Sequence, residues 1–182
     1  MTFKTDDLRA FLNGENGVAS ESRWKVELPQ ISGTQKPGGG SASNYSTSDL
    51  NLVCTSVKMP GIDVVTIDRQ IGMVPQKVGI GKTLNPVTMT FYLTNKYTAR
   101  KYWQDWMECV VGTGAPYTAG FLQEYGKQVK IIQLDKLKAP VYTVKLIEAY
   151  PVNVSEIDLT NQAATAAAEF TITLQYTNFE AS

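Results

Sequence analysis

Residues 62–71, Ile62-Asp63-Val64-Val65-Thr66-Ile67-Asp68-Arg69-Gln70-Ile71, and residues 76–83, Gln76-Lys77-Val78-Gly79-Ile80-Gly81-Lys82-Thr83, flank the turn residues Gly72–Pro75. They read as the two arms of a long hairpin. In the first arm Val64, Thr66, Asp68 and Gln70 alternate with Asp63, Val65, Ile67, Arg69 and Ile71, so neither face is wholly apolar or wholly polar. A strand half-buried in a monomer alternates more cleanly. Isolated apolar residues on both faces imply that part of the burial comes from another chain, because exposed strand edges are templates for pairing. The alternative is a twisted hairpin standing off a monomer.

Working outward, the chain is rich in strands. Val87, Met89, Phe91 and Leu93 face one way over 87–94, with Thr88, Thr90, Tyr92 and Thr94 opposite. The stretch 168–177 repeats the pattern, with Ala168, Phe170, Ile172, Leu174 and Tyr176 on one side. Further strands are expected at 23–29, 50–58, 127–134 and 141–149, with a turn or kink at Pro60-Gly61. One helix interrupts them at 96–111, where Ala99, Tyr102, Trp103, Trp106 and Val110 form an apolar stripe. Thr94 or Asn95 is its expected cap and Gly112 its end. Its early Arg100 and Lys101 and late Asp105 and Glu108 oppose the helix dipole, so packing must hold it. A short helix is expected from Asp6 or Asp7 to Asn13. Residues 32–49 lose all periodicity, and their Gly and Ser density predicts a long mobile loop, either a surface insertion or a binding element.

Composition removes most enzyme classes. The 182 residues, 43% hydrophobic, suit one domain with a real core. Lys+Arg and Asp+Glu are both 17, without the basic excess of a nucleic-acid binder. There is no histidine, which removes the commonest general base and metal ligand. Cys54 and Cys109 read as small buried hydrophobes in a reducing compartment. No apolar run reaches membrane-span length, and the N-terminus lacks a signal-peptide core. Gly79-Ile80-Gly81-Lys82-Thr83 mimics the end of a phosphate-binding loop, but Gln76 stands where that motif needs glycine and a strand follows where it needs a helix. The pairs Glu156/Asp158 and Asp63/Asp68 lack a nucleophile–base couple, and the Asn44 and Asn153 glycosylation patterns carry no meaning without secretion. No catalytic, cofactor or metal site is visible.

Charge is segregated. Residues 51–100 hold Lys58, Arg69, Lys77, Lys82, Lys96 and Arg100 against Asp63 and Asp68, a net of +4. Residues 146–182 hold Glu148, Glu156, Asp158, Glu169 and Glu180 with no Lys or Arg, a net of −5. On opposite surfaces these would favour head-to-tail association.

In order along the chain, Asp7-Leu8-Arg9-Ala10-Phe11, Trp24-Lys25-Val26-Glu27-Leu28, Val57-Lys58-Met59-Pro60-Gly61-Ile62, the 87–93 strand, Ala99 to Trp106, and Ala149-Tyr150-Pro151-Val152-Asn153-Val154-Ser155-Glu156 before the last strand resemble the tail tube proteins of contractile-tailed bacteriophages. Tubes of phage-like bacteriocins and of type VI secretion are related. The resemblance covers most of the chain except 32–49.

It implies a mainly β fold, sandwich or barrel-like, with long hairpins, one flanking amphipathic helix and a short N-terminal helix, as a single domain over 1–182. It implies hexameric rings whose hairpins join into one barrel and stack head to tail as a hollow tube. That tube would lie inside a sheath, meet the baseplate and neck, and carry the tape-measure protein and then DNA without binding it specifically. Such a subunit is made in the host cytoplasm and ends in the virion, with no membrane anchor, cofactor or enzymatic role. The inter-subunit candidates are Ile62, Val64, Ile67, Ile71, Val78 and Ile80. Asp63 and Asp68 are expected to face the lumen, and Lys77 and Lys82 neighbouring subunits. A ring that initiates or terminates the tube at baseplate or neck is the nearest alternative. A monomeric binding module using 32–49 is the alternative from another class.

Overall fold

A computed structural model describes residues 19, 21–71, 74–112, 118–157 and 167–182. The expected helix at Asp6/Asp7–Asn13 lies outside these residues, as does Asp158. Nine strands and three helices are described: β1 Trp24–Glu27, α1 Thr47–Leu52, β2 Cys54–Val57, β3 Ile62–Ile71, β4 Val74–Leu84, β5 Val87–Tyr92, α2 Thr98–Val110, α3 Leu122–Tyr125, β6 Lys127–Leu134, β7 Pro140–Val154, β8 Glu169–Gln175 and β9 Asn178–Ala181. The antiparallel main sheet runs β1-β6-β7-β8-β5-β2, with β9 alongside β7. Its end strands, β1 and β2, do not pair with each other, so the sheet does not close on itself. The hairpin β3–β4 forms a second sheet of two strands.

The period-two pattern of β5 and β8 appears directly in their burial. Val87, Met89 and Phe91 are fully buried, as are Phe170, Ile172 and Leu174 within 1%. Direct register pairs, such as Phe91 opposite Phe170 and Met89 opposite Ile172, stack one apolar layer. The longest strand, β7, pairs with β6 along 140–149 and with β8 along 150–154. Where the β6 pairing shifts register, between Leu146 and Ala149, Glu148 takes a left-handed backbone conformation, φ 52°.

Helix α2 lays its aromatic stripe on this layer. Tyr102, Trp103 and Trp106 are completely buried, and Trp103 stacks on Trp106 at 5.4 Å while contacting Phe91 at the same distance. Hydrogen bonds steer the rim of the stripe. Tyr102 Oη donates to Pro29 O at 2.7 Å, and Trp106 Nε1 donates to Tyr125 O at 2.9 Å. Cys109, rather than Val110, completes the buried stripe. The helix starts at Tyr97, in a left-handed conformation with no side-chain cap, so neither Thr94 nor Asn95 fills that role. A turn closed by Tyr97 N to Thr94 O at 2.8 Å occupies those residues.

Two expectations from the sequence change. Residues 50–52, expected in a strand, end helix α1, because Leu50 is needed on the buried face of that turn. The 32–49 segment, expected to be structureless, carries specific structure. Gln35 bridges Ser41, Ala42 N donates to Thr34 O at 2.9 Å, and Gly38, Gly39 and Gly40 all have positive φ in the connecting turn. Three consecutive positive-φ positions demand glycine.

A polar clasp fastens this segment to α2. Lys36 Nζ lies 3.1 Å from Asp105 Oδ1 and 2.8 Å from Glu108 Oε2. Tyr45 Oη donates to Asp105 Oδ2 at 2.7 Å, and Ser43 N to the same oxygen at 3.3 Å. Burial works against the Asp105 charge, yet hydrogen bonds from Tyr45, Lys36 and Ser43 hold its carboxyl below the usual range. Burial, then the Asp105 partner, pushes the Tyr45 phenol up to about 12. The carbonyl of Pro37 would meet a Cβ on Gly112 at 2.0 Å, so only glycine lets the segment lie this close.

Two outcomes are expected. Trp103→Ala removes a fully buried ring and costs about 3–5 kcal/mol in urea unfolding. Asp105→Asn costs about 1–2 kcal/mol and raises hydrogen exchange over 33–45. Since the folded carboxyl titrates below the unfolded one, the Asp105 contribution is present above about pH 4 and fades as pH falls through the folded value. The two proteins should therefore converge in stability under acid.

Candidate inter-subunit surface

Residues Ile62 to Leu84 leave the body at a base closed by Asn85 N donating to Gly61 O at 3.1 Å. Leu84 packs partly against the core, and beyond it every described side chain of the hairpin is exposed. Ile62, Val64, Val65 and Ile67 are between 43% and 65% exposed, and Val74, Val78 and Ile80 between 38% and 69%. An isolated two-stranded hairpin is marginal in water. A ribbon of ten paired rungs with this much uncovered apolar surface is an incomplete layer. Each strand has only the other as partner among the described residues, so both outer edges are open.

The register places each candidate residue. Ile62 faces Leu84, Val64 faces Lys82, Thr66 faces Gly79 and Asp68 faces Lys77 on one side of the ribbon. On the other side Asp63 faces Thr83, Val65 faces Gly81, Ile67 faces Val78 and Arg69 faces Gln76. A β-bulge between these sets leaves Ile80 without a register partner. A Cβ on Gly79 would approach Val64 Cγ1 to 3.2 Å, so a side chain there would crowd the bulge. Of the expected inter-subunit residues, Ile62 and Val64 share one face, and Ile67 and Val78 form a pair on the other. Ile71 pairs with Val74 at the tip.

The two acids do not share a face. Asp63 and Asp68 are five residues apart on a regular strand, which puts them on opposite sides. Asp68 instead shares its side with Lys77 and Lys82. Strand parity thus sets Asp63 on one side of the ribbon and groups Asp68 with Lys77 and Lys82 on the other. What the alternation along β3 does not report is the bulge, which decides which β4 residue meets which on β3 and so puts Lys77 and Lys82 on the Asp68 side.

The charges divide by strand. β3 carries Asp63, Asp68 and Arg69, a net of −1, and β4 carries Lys77 and Lys82 with no acid, a net of +2. The phosphate-loop mimic Gly79–Thr83 lies wholly within exposed β4, with no helix to receive a phosphate. Among the described residues no cluster of His, Cys, Asp and Glu is arranged to hold a metal, and no helix is long and apolar enough to cross a membrane. Cys109 is buried, while Cys54 is only partly so, and burial pushes the Cys54 thiol up to about 12.

Three solved structures share this architecture. A chain of the anti-feeding prophage baseplate, solved by cryo-EM with 6-fold symmetrisation, is similar at TM-score 0.62 and 11% identity, over 91% of this chain and 95% of that one. A chain of the sheath–tube complex of the extracellular contractile injection system PVC is similar at TM-score 0.59 and 13% identity, over 100% and 99%. A chain of the tube-terminating cap of the anti-feeding prophage is similar at TM-score 0.60 and 13% identity, over 91% of each. No curated protein sequence matches. The model of one family, described as phage tail tube protein, matches residues 19–182, from before the first strand to the last residue. With that match spanning the sheet, the helix and the uncovered hairpin together, the chain belongs to the phage tail tube protein family.

Proposed function

We propose that this tail tube protein, a structural subunit and not an enzyme, builds its tube by adding the β3–β4 hairpin of each copy edge to edge to that of the next. The carrying observation is the hairpin itself, a ribbon with both edges open and apolar side chains exposed on both faces. Closing such ribbons into a ring removes every open edge. The charge division by strand favours one joint, in which the basic β4 of one copy meets the acidic β3 of its neighbour. A β3–β3 or β4–β4 joint places like charges together.

Six copies per ring, rings stacked head to tail, and a surrounding sheath complete the reading. The 6-fold symmetrised prophage baseplate and the PVC sheath–tube complex, which share the fold, support it. The ten-residue arm reaches about 33 Å, enough to form a tall wall. Lys77 and Lys82 act at the inter-subunit joint, where acids of the next copy neutralise them. A wall balanced in this way lets DNA pass, because unneutralised lysines would hold phosphates by counterion release. Of the two acids, whichever lies on the concave side contributes to the lumen. The tape-measure protein, baseplate and neck are the proposed further partners, with synthesis in the host cytoplasm before incorporation into the virion. The prophage tube-terminating cap shares the fold equally well, which keeps a single terminal ring as the second reading.

Two experiments test the joint. Val64→Asp and Ile67→Asp alter residues 65% and 49% exposed, so the monomer should keep its unfolding midpoint within about 0.5 kcal/mol while rings and tubes vanish in negative-stain microscopy. Unchanged assembly would overturn the hairpin as the joint. Lys77→Glu/Lys82→Glu and Asp63→Lys/Asp68→Lys chains should each assemble poorly at low salt. A mixture of the two should assemble, because each altered edge then meets its opposite.

A further inference from the structure

The most exposed large apolar side chain described is outside the hairpin. Leu137, 88% exposed, tips the turn between β6 and β7, with Val141 at 65% just behind it. The turn is well built. Asp135 N donates to Ala139 O at 2.8 Å, Lys138 N donates to Asp135 O at 2.9 Å, and Lys138 has φ 61°. Lys136 and Lys138 flank the leucine, so the turn presents one apolar knob between two cations.

At the other end of β7 lies a groove of about 720 Å³ between α2, the 43–45 segment and Tyr150–Val152. Met107, Val110, Val111 and Val152 supply its apolar part, and Val111 and Val152 are 48% and 46% exposed. Its rim at the C-terminal end of α2 is electronegative. Asp105 and Glu108 share the single ammonium of Lys36, and the last turn of α2 contains no basic residue to offset the helix dipole. Lys101, also in the lining, stands toward the opposite end of the helix.

We propose that the β6–β7 turn of one copy seats in this groove of a second copy, Leu137 against Val111 and Val152, with Lys136 and Lys138 over the carbonyl end of α2. Charge complementarity selects the occupant: a cation-flanked leucine meets an apolar slot with an electronegative rim. Val141 and Val152 are eleven positions apart along β7, about 36 Å if fully extended, so donor and acceptor lie toward opposite ends of that strand. A contact of that kind repeats without closing and stacks copies axially. This rests on the self-assembly reading above but uses none of the hairpin residues, so the two are separable.

The test is Leu137→Asp, at an exposed turn where the fold does not depend on it, together with a Leu137→Cys/Val152→Cys chain oxidised after assembly. The expected results are rings without stacked tubes for Leu137→Asp. The double-cysteine chain should give a ladder of disulfide-linked multimers, which neither single-cysteine chain yields. Stacked tubes of Leu137→Asp, or assembled double-cysteine tubes with no ladder, would overturn the contact while leaving the hairpin joint standing. A wild-type chain that forms no assembly even with a preformed tube as seed would overturn both.

Discussion

Everything on the outer side of the main sheet depends on the aromatic packing of α2. The helix has unfavourably placed charges, no side-chain cap at its start and no cation at its end. What holds it is Tyr102, Trp103 and Trp106 pressed on the Phe91–Phe170 layer, with the two outer rings hydrogen-bonded to backbone carbonyls. Buried aromatic rings supply large apolar area and directional contact at once. Trp103 Nε1 has no hydrogen-bond partner, consistent with its position among other rings rather than at their edge. Once α2 is placed, Asp105 and Glu108 are placed, and with them the polar clasp and the groove.

The body and the hairpin follow different rules. In the body, alternation, burial and register agree, and the apolar residues are hidden. In the hairpin the register is equally regular but the burial is absent. Sequence and fold are mutually consistent within a natural chain, so local inconsistency marks function. Here the inconsistency is a well-formed sheet with nothing against it, which is what the proposal that other copies supply the missing layer rests on.

Much of this was legible beforehand. β3 has its expected bounds, β5, β8 and β6 fall within two residues of expectation, and α2 was expected for the right reason, packing over propensity. The misses have physical causes. Residues 50–52 are too few to show a period, so the short helix α1 passed for the start of a strand. The 32–49 segment holds its place through Lys36, Tyr45 and three positive-φ glycines, partners distant in sequence that composition does not report. The bulge opposite Val65 and Thr66 shifted which β4 residues meet β3, and so placed Lys77 and Lys82 on the side of Asp68. Neither the groove beside α2 nor the exposure of Leu137 has any signature in periodicity, because both arise where separate elements come together.

The charged residues set among the hairpin's apolar ones have one more consequence, which concerns the chain before it finds a partner. A long ribbon with open edges and valine and isoleucine on both faces is the kind of segment that seeds disordered aggregates. Asp63, Asp68, Arg69, Lys77 and Lys82 break up its apolar runs as gatekeepers do, since in-register stacking of identical ribbons sets each charge against its own kind. On the proposed joint, the same side chains that favour the correct neighbour would thus also disfavour such stacking of subunits that have not yet found one.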